Sequence, residues 1–531
     1  MSKKHDFKVL VAETISGEGI QKLKEHFDVD AHDRISREDL LSGINEYDGL
    51  VVRSGTKVDA EVIAAGENLK VIGRAGIGID NIDLDAATRK GIMVANVPES
   101  NIISAAEHTM AMIMATARNI PAACASLSAG DWNRSAYQGV ELYGKTLGII
   151  GVGRIGGLVA ERASAFGMKL IGYDPFVSSG KARQLGIEIK ANVEDLLREA
   201  DFITMHVPRT KDTYHMLGAA QFDIMKKGAH IVNVSRGGVV DEEALARAIE
   251  AGKVAGAALD VYETEPPTDN PLCKMSQVVA TPHLGASTSE AQYKAGVAIA
   301  DQVIAGLTGG FVSGAVNMAM PHKEVVESLR PYMPLCEKLG GLLISLMKEA
   351  ASEIEFEILG AISEYDTSLL TVAFLKGFLE NISMDAVTYV NAPVLAQDRG
   401  ITIKESKSRK SRDFINLIQV TASNDAGKMT AGATLVGKGQ EMFVHVLDFD
   451  IEIAPSRYMA FISYDDKPGM IGKVGTALGD HDINIAGLQV GRKTIKGEAG
   501  MGLNLDVALS DEVIGELVTQ QGVRQALFIE L

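Results

Sequence analysis

The sequence predicts an α/β protein with parallel sheets, followed by a region of mixed helices and strands. Three observations predict this class. Short apolar runs alternate with helical stretches over the first 287 residues, which is typical of strands joined by crossover helices. The order of elements then changes near the C-terminus. The length of 531 residues is enough for about three or four domains.

Composition excludes several classes of function. Hydrophobic residues make up 46% and charged residues 23% of the chain, as in ordinary globular proteins. A net charge of −17 argues against nucleic acid or an anionic membrane as the main partner. No run of about 18 apolar residues predicts a membrane span, and residues 1–10 have no apolar core of signal-peptide length. We therefore expect a cytoplasmic protein.

The three cysteines predict neither disulfides nor a metal site. Cys124, Cys273 and Cys336 lie far apart and match no metal-ligand spacing. Their small number and wide spacing favour free thiols in a reducing compartment. We expect no bound metal.

The first 100 residues predict one α/β unit. Strand-like runs occur at residues 8–12, 49–52, 70–72 and 92–94. A helix with Ile20, Leu23 and Phe27 on one face follows the first run. The stretch Ser104–Arg118 predicts another helix, with Ser104 as its N-cap and Glu107 completing a capping box.

A second α/β series begins at Lys145. Its six strand-like runs are residues 147–150, 169–173, 202–206, 229–234, 256–260 and 278–281. The long helix predicted at Ser289–Leu307 returns to the first unit, which lacks a closing helix of its own. We therefore expect a nucleotide-binding domain at residues 101–287, inserted in a substrate-binding domain formed by residues 1–100 and 288–316.

The remaining chain predicts two smaller domains. Residues 308–321 are rich in glycine and small side chains and are interpreted as a linker. Residues 317–455 contain strand-like runs at 353–359, 415–421 and 442–446 and a helix at 368–382. Residues 456–531 follow the order strand, helix, strand, strand, helix, strand, which predicts a ferredoxin-like module.

A glycine-rich turn after residues 147–150 predicts a dinucleotide site. Gly151, Gly153 and Gly156 form a GxGxxG motif between a strand and a helix. These glycines permit a tight turn and close approach of a pyrophosphate to the helix N-terminus. Asp174 ends the next strand, where a carboxylate accepts hydrogen bonds from a ribose diol and repels a 2′-phosphate. The pattern predicts a Rossmann domain that binds NAD rather than NADP.

Three side chains follow strands of this series and suit hydride chemistry on a small hydroxy acid. Arg236 can hold a carboxylate and polarise a carbonyl. His283 can exchange a proton with a hydroxyl group. Glu265 can orient the imidazole and stabilise its protonated form. Because ligands bind at the carboxyl ends of strands in open α/β sheets, the three should meet at one cleft.

Four motifs together resemble the D-isomer-specific 2-hydroxyacid dehydrogenases. They are Gly151–Gly156, Asn233–Gly238, Asp260–Pro267 and Pro282–Ser287. The resemblance implies a flavodoxin-like substrate domain, a catalytic set of Arg236, Glu265 and His283, and a homodimer or homotetramer. It also implies cofactor contacts at Gly151, Gly153, Arg154, Ile155, Gly156, Asp174, Val207, Val234, Ser235, Arg236, Asp260, His283, Gly285 and Ala286.

Within that family the chain is most similar to members with a long C-terminal extension. The resemblance implies oxidation of 3-phospho-D-glycerate to 3-phosphohydroxypyruvate, the first step of L-serine biosynthesis. Arg53, Ser54, Arg74, Gly76 and Arg134 match positions used for the phosphorylated substrate, with Arg134 reaching it from a neighbouring subunit. The alternatives are a dehydrogenase of 2-hydroxyglutarate, glyoxylate or lactate, and a nucleotide-sensing scaffold of the co-repressor type.

One position departs from many relatives. Ile77 stands where they carry threonine, which removes a hydroxyl contact to the cofactor but leaves the backbone amide.

The C-terminal regions resemble regulatory domains. Residues 456–531 resemble an ACT domain, in which Tyr464, Asp466 and Asn484 match effector positions. Tyr464 and Asp466 stand where histidine and asparagine occur in relatives that bind L-serine. The module therefore either binds L-serine or only assembles subunits. Residues 317–455 resemble an allosteric substrate-binding domain.

Overall fold

A computed structural model describes residues 6–318, 320–347, 351–383, 386–411, 413–425, 427–494 and 497–531. Residues 1–5, part of the stretch predicted to lack a signal peptide, and Ala319, in the predicted linker, lie outside these ranges. Among the described residues, no helix is long and apolar enough to cross a membrane.

The first unit is a five-stranded parallel sheet with strand order β2-β1-β3-β4-β5. Its elements are β1 (Lys8–Val11), α1 (Gly17–Lys24), β2 (Asp28–Ala31), α2 (Arg37–Gly43), β3 (Gly49–Val52), α3 (Ala60–Ala65), β4 (Val71–Arg74), α4 (Leu84–Arg89) and β5 (Met93–Ala95). No pattern in the sequence predicts β2. This strand lies at the sheet edge, and its exposed Asp28 and Asp30 give it no apolar pattern.

The second unit is a seven-stranded parallel sheet with strand order β12-β11-β10-β9-β6-β7-β8. Its elements are α5 (Ile102–Ala117), α6 (Ile120–Ser128), β6 (Thr146–Ile150), α7 (Arg154–Ala165), β7 (Lys169–Tyr173), α8 (Ser179–Gln184), β8 (Glu188–Ile189), α9 (Val193–Glu199), β9 (Phe202–Met205), α10 (Ala219–Ile224), β10 (Ala229–Asn233), α11 (Glu242–Glu250), β11 (Val254–Leu259), β12 (Val278–Ala280) and α12 (Ser289–Leu307). The six predicted strands are present, and the short exposed edge strand β8 is the addition. The chain order reverses between β6 and β9, so the carboxyl ends of these strands open a crevice.

The capping box predicted at Ser104 is wrong. Helix α5 begins at Ile102 with Asn101 as its N-cap, and Ser104 is a buried residue inside the helix. Its hydroxyl lies 2.9 Å from the hydroxyl of Thr288, which caps α12. A serine that bonds a distant side chain has the same local sequence signature as a cap, so the pattern alone could not separate them.

Helix α12 returns to the first sheet. It packs against α1 and β4, and Val303 and Ile299 belong to the same core as the strands of that sheet. Gly19 and Gly296 allow the two helices to touch, since a Cβ on Gly19 would overlap the carbonyl of Gly296. The second unit is thus inserted in the first.

Part of the segment after α12 that the sequence predicts as a linker pairs with the first sheet instead. Ala315 forms a bridge with Ala95 of β5. The N–H of Val316 donates to the carbonyl of Val94 at 2.8 Å. Backbone pairing therefore extends the first sheet through small residues that carry no strand signature.

The C-terminal half contains two further sheets. Its elements are α13 (Lys323–Leu329), α14 (Met333–Leu346), β13 (Glu353–Gly360), α15 (Ser368–Glu380), α16 (Ala392–Asp398), β14 (Thr402–Ser408), β15 (Asn416–Asn424), β16 (Gly427–Val436), β17 (Gln440–Val446), β18 (Phe449–Ile453), β19 (Tyr458–Asp465), α17 (Met470–Gly479), β20 (Ile485–Arg492), β21 (Glu498–Leu505), α18 (Asp511–Thr519) and β22 (Val523–Glu530). The strand orders are β14-β13-β15-β16-β17-β18 and β20-β21-β19-β22. The ferredoxin-like order predicted for the last module is confirmed. Its sheet shares a core with the preceding one through Met459, Phe461 and Ile529.

Burial of His230 on β10 predicts acid sensitivity. Its ring stacks on Phe202 at 4.6 Å between centroids, and burial, with a smaller effect from Lys145, lowers its pKa to about 4. Between that value and its ordinary value near 6.5, His230 is protonated in the unfolded chain and neutral in the folded chain. Stability therefore falls as the pH drops through this window, by roughly 3 kcal/mol when the full shift applies.

We expect His230→Phe, which keeps a ring against Phe202, to weaken this dependence. Urea unfolding followed by circular dichroism at pH 7.5, 6 and 5 measures it. Equal losses of midpoint in the variant and the parent protein would contradict the assignment to His230.

Candidate active site

The glycine-rich turn has the close contacts that the motif predicts. Gly151 has φ of +88°, and a Cβ there would lie 2.5 Å from the carbonyl oxygen of His206. A Cβ on Gly156 would overlap the carbonyl of Gly151, whereas a Cβ on Gly153 would meet nothing within 4 Å. Two glycines thus let the turn pack, and the third leaves open space at the N-terminus of α7. This turn fits the pyrophosphate of a dinucleotide.

Asp174 ends β7 beside this turn. Its Oδ2 accepts from the N–H of Val152 and its Oδ1 from the N–H of Phe176, both at 2.8 Å. Each carboxylate oxygen has a second lone pair for a ribose hydroxyl. The backbone therefore fixes the carboxylate in the position predicted for recognition of NAD.

We expect Asp174→Asn to change the preference between cofactors. The amide keeps one acceptor for the backbone but removes the charge that repels a 2′-phosphate. The KM for NAD should rise about tenfold, the loss expected for a hydrogen bond to a charged group, while the KM for NADP falls. Initial rates with both cofactors measure this, and an unchanged ratio of the two KM values would exclude Asp174 from cofactor selection.

Of the predicted cofactor residues that follow the other strands, Val207 contacts the glycine-rich turn and the others lie on neighbouring segments. Val207 lies against Gly151, and Val234 lies against Gly285. Ser235 donates through its N–H and hydroxyl to Asn233 at 3.0 and 2.8 Å. The guanidinium of Arg154 lies 3.3 Å from Glu99. Ile155 packs on the core beneath the turn. Ala286 lines the cleft between the two units.

His283 and Glu265 are in contact. The Nδ1 of His283 lies 2.8 Å from Oε2 of Glu265, and Oε1 accepts from the N–H of Tyr262 at 3.2 Å. Burial raises the pKa of Glu265, but the hydrogen bond to His283 and its charge lower it, and the net direction is down. Glu265 is therefore an ionised partner that holds one imidazole nitrogen and leaves Nε2 facing away from it.

Asp260 shapes the loop that presents His283. Its side chain is buried and accepts from the N–H groups of Leu284 and Gly285 at 2.7 and 2.8 Å and from the hydroxyl of Thr281 at 2.6 Å. His283 has φ of +56°, a conformation that costs a non-glycine residue about 1 kcal/mol or more. The hydrogen bonds on both sides of His283 hold it there.

The pKa of Asp260 follows from these contacts. Burial raises it, but hydrogen bonds from His108, Thr281 and Leu284 outweigh burial and lower it. Asp260 thus stays ionised inside the fold.

Arg236 points across the cleft towards the first unit. Its Nε donates to Oδ2 of Asp80 at 3.1 Å, and its Nη1 donates to the carbonyl of Ser235 at 2.8 Å. A Cβ on Gly78 would overlap Nη2. Two fixed donors thus orient the guanidinium, and Nη2 faces the glycine-rich segment after β4.

Two further arginines lie on that side of the cleft. Burial and the neighbouring Arg236 lower the pKa of Arg74 to about 10, which is still far above neutrality. Its Nε is buried and has no hydrogen-bond partner among the described residues. Arg53 and Gly76 line the cleft, and a Cβ on Gly76 would overlap the Arg74 guanidinium. Three guanidinium groups and the carboxylates of Asp80 and Glu13 thus form one cluster with an excess of positive charge, which suits an anionic substrate.

The structure does not bring every predicted site residue together. Ser54 is exposed beside Arg53, and Arg134 is exposed in the loop after α6. Within the C-terminal module, Asp466 pairs with Arg492 at the end of β20, whereas Asn484 precedes its first residue. The eight residues of β20 separate them by roughly 25 Å. Tyr464 is 3% exposed and belongs to the core.

Two acids that no sequence pattern predicts hold the site in place. The Glu13 carboxylate accepts from the N–H groups of Arg53, Gly55 and Thr56 and so shapes the loop after β3. Asp80 orients Arg236. Nothing in the local sequence distinguishes either acid from an exposed surface charge, because its partner is distant in the chain.

Three family models match the chain. The NAD binding domain of the D-isomer specific 2-hydroxyacid dehydrogenases matches residues 110–285, the D-3-phosphoglycerate dehydrogenase intervening domain matches residues 328–447, and the ACT domain matches residues 458–522. These matches confirm the resemblance that the motifs carry, and they support NAD as the cofactor.

Relatives match over nearly the whole length. A D-3-phosphoglycerate dehydrogenase of Methanocaldococcus jannaschii is 44% identical over 524 residues, covering 99% of this chain and 100% of the relative. One from Bacillus subtilis is 41% identical, with coverage of 99% and 100%.

Solved structures match the first half. A D-lactate dehydrogenase of Aquifex aeolicus, complexed with NAD and lactic acid, is 30% identical with a TM-score of 0.52, covering 57% of this chain and 96% of that chain. The TT0316 protein of Thermus thermophilus is 33% identical with a TM-score of 0.54, covering 58% and 99%. The inserted nucleotide-binding domain, the paired His283 and Glu265 and the full-length similarity agree. The chain belongs to the D-3-phosphoglycerate dehydrogenase family of the D-isomer-specific 2-hydroxyacid dehydrogenases.

Proposed function

We propose that this protein is the NAD-dependent dehydrogenase that oxidises 3-phospho-D-glycerate to 3-phosphohydroxypyruvate, the first step of L-serine biosynthesis. The observation that carries the proposal is the His283–Glu265 pair, 2.8 Å apart, at the loop whose Ala286 lines the cleft together with Arg53. The full-length relatives named D-3-phosphoglycerate dehydrogenase support the same substrate.

The proposed mechanism assigns one task to each side chain. Bound NAD supplies the hydride acceptor. His283 takes the hydroxyl proton at Nε2 as the C2 hydrogen leaves as hydride, and Glu265 stabilises the imidazolium that forms. Arg236 binds the carboxylate and polarises the carbonyl oxygen that develops.

The remaining cationic groups are assigned to the phosphate. Arg53 and Arg74 lie on the first unit. Arg53 lines the cleft, and Gly76, which also lines it, lies against the guanidinium of Arg74. A phosphate dianion pairs with such guanidinium groups through charge-assisted hydrogen bonds. An unphosphorylated hydroxy acid would leave these charges without a partner.

A substrate panel tests the proposal. NADH absorbance is followed with 3-phosphoglycerate, 2-hydroxyglutarate, lactate and glycerate, each with NAD and NADP. Activity with 3-phosphoglycerate and NAD is expected. Activity restricted to an unphosphorylated acid would keep the catalytic assignment and reject the substrate.

We infer that the enzyme assembles through an apolar surface on the Rossmann domain. This α5–α6 surface consists of Ile103, Met114, Ile120, Leu127, Trp132, Val140 and Tyr143, which are 38–80% exposed. So many exposed large apolar side chains on neighbouring elements mark an interface. A second copy of the chain is the proposed occupant, and Arg134 lies in the same loop as Trp132, from which it reaches the neighbouring active site.

Charge placed on the α5–α6 surface tests this assembly. Leu127→Glu combined with Tyr143→Glu should reduce the molar mass measured by light scattering after gel filtration. Ile415→Glu, at a side chain that is 86% exposed on another domain, is the control. An unchanged mass in the double variant would reject the surface.

We propose that L-serine binds the ACT domain between two copies. Within one chain Asp466 and Asn484 lie at opposite ends of β20, an edge strand of its sheet. Twofold antiparallel pairing of two β20 edges would place Asn484 of one copy beside Asp466 of the other. Calorimetric titration of the full enzyme with L-serine tests this. Binding that Asn484→Ala abolishes is expected, and heat unaffected by that change would place the ligand elsewhere.

A further inference from the structure

One carboxylate holds both ends of the loop that carries Glu265. Glu242 is the first residue of α11. Its Oε1 accepts from the N–H of Glu263 at 2.6 Å, and its Oε2 accepts from the side-chain amide of Asn270 at 2.5 Å. These two contacts lie on either side of Glu265, so Glu242 bridges the loop rather than one point of it.

Other groups reinforce the same bridge. The N–H of Glu242 donates to Oε1 of Glu263 at 3.3 Å, and Nε2 of His215 lies 3.0 Å from that oxygen. A Cβ on Gly237 would overlap the carbonyl of Tyr262, so the chain beside Arg236 touches the start of the loop. The loop is therefore held by contacts with α11 and with the segment after β10.

The position of Glu242 makes its contacts strong. Burial raises its pKa, and the nearby carboxylates of Glu263 and Glu265 add to the rise, against the lowering effect of its two hydrogen bonds. Water competes less for a half-buried acceptor than for an exposed one. Each hydrogen bond of Glu242 therefore restrains the loop more than an exposed hydrogen bond would. The fold thus keeps an acid at a position where its charge is disfavoured.

We propose that Glu242 is a positioning residue that holds Glu265 in register with His283. Displacement of the loop would move Oε2 of Glu265 away from Nδ1 of His283 and leave the imidazole free to rotate. This inference rests on the proposed function, since it acts only through Glu265. Glu242 reaches the chemistry through the loop and touches none of the reacting groups assigned above.

A double-mutant cycle tests the proposal on the full enzyme. Steady-state oxidation of 3-phosphoglycerate is measured for Glu242→Ala, Glu265→Gln and the double variant. We expect about a tenfold loss of kcat for Glu242→Ala, with KM changed less than about twofold, as for other residues that orient a catalytic group. The double variant should be no slower than Glu265→Gln, because the two residues act as one unit.

Controls separate positioning from a general loss of structure. Glu243→Ala, the neighbouring exposed acid on α11, should leave kcat unchanged. Asn270→Ala removes one end of the bridge by a second route and should lower kcat in the same direction. Fluorescence titration of NADH should give an unchanged Kd for every variant.

Each result decides one question. Losses of kcat that multiply in the double variant, or a Glu242→Ala enzyme with normal kcat beside a slow Glu265→Gln enzyme, would overturn the positioning role. A Glu265→Gln enzyme with normal kcat would instead overturn the proposed function.

Discussion

Replacement of His283 by alanine should reduce kcat by about 10³-fold, the contribution typical of a general base. The physical reason is the loss of the group that receives the hydroxyl proton while hydride leaves. Glu265 is bonded to Nδ1 at 2.8 Å, on the opposite side of the ring from the Nε2 assigned to the proton, so loss of the ring leaves its carboxylate too far away to replace the imidazole. Stopped-flow and steady-state measurements of NADH formation give kcat.

The same variant should bind NADH almost normally. The glycine-rich turn and Asp174 lie at the ends of β6 and β7, and none of their hydrogen bonds passes through His283. His32→Ala, at an exposed histidine on the first unit, is the matched control and should keep normal activity. Near-normal turnover in the His283 variant would remove the central assignment of the mechanism.

Replacement of Arg236 by alanine should reduce kcat/KM by about 10³-fold, corresponding to roughly 4 kcal/mol of lost binding to the carboxylate and the developing charge. Arg236→Lys should recover little. The three donors of an ammonium group share one nitrogen, which cannot occupy at once the positions from which Nε bonds Asp80 and Nη1 bonds Ser235.

Stability is not expected to explain this loss. Asp80 is 48% exposed, so water can solvate it after its partner is removed. Arg247→Ala, at an exposed arginine on α11, is the control. A loss confined to NADH affinity, with normal turnover at saturation, would assign Arg236 to the cofactor instead of the substrate.

Local sequence patterns were sufficient for much of the fold. The spans predicted for β3, β7 and α12 agree with the structure residue by residue. The fold of the inserted Rossmann domain and the ferredoxin-like order of the C-terminal module are also confirmed. The reason is that a buried apolar run or a glycine turn can be recognised from a few consecutive residues.

Elements without a pattern of buried apolar side chains were not predicted. Strand β2 and strand β8 are exposed at sheet edges and have no apolar pattern. Ser104 carries a capping signature but bonds Thr288, 184 residues away. Ala315 and Val316 of the predicted linker pair with β5.

The sequence by itself determined the nucleotide turn, the acid at Asp174 and the three residues proposed for catalysis, because short motifs next to strand ends identify them. Only the tertiary structure decided what holds them. Asp80 meets Arg236 from 156 positions away, and Glu242 meets the loop of Glu265 from 21 and 28 positions away. The separation of Asp466 from Asn484 was equally invisible. Contacts between distant segments depend on how sheets and helices pack, and no local pattern records that.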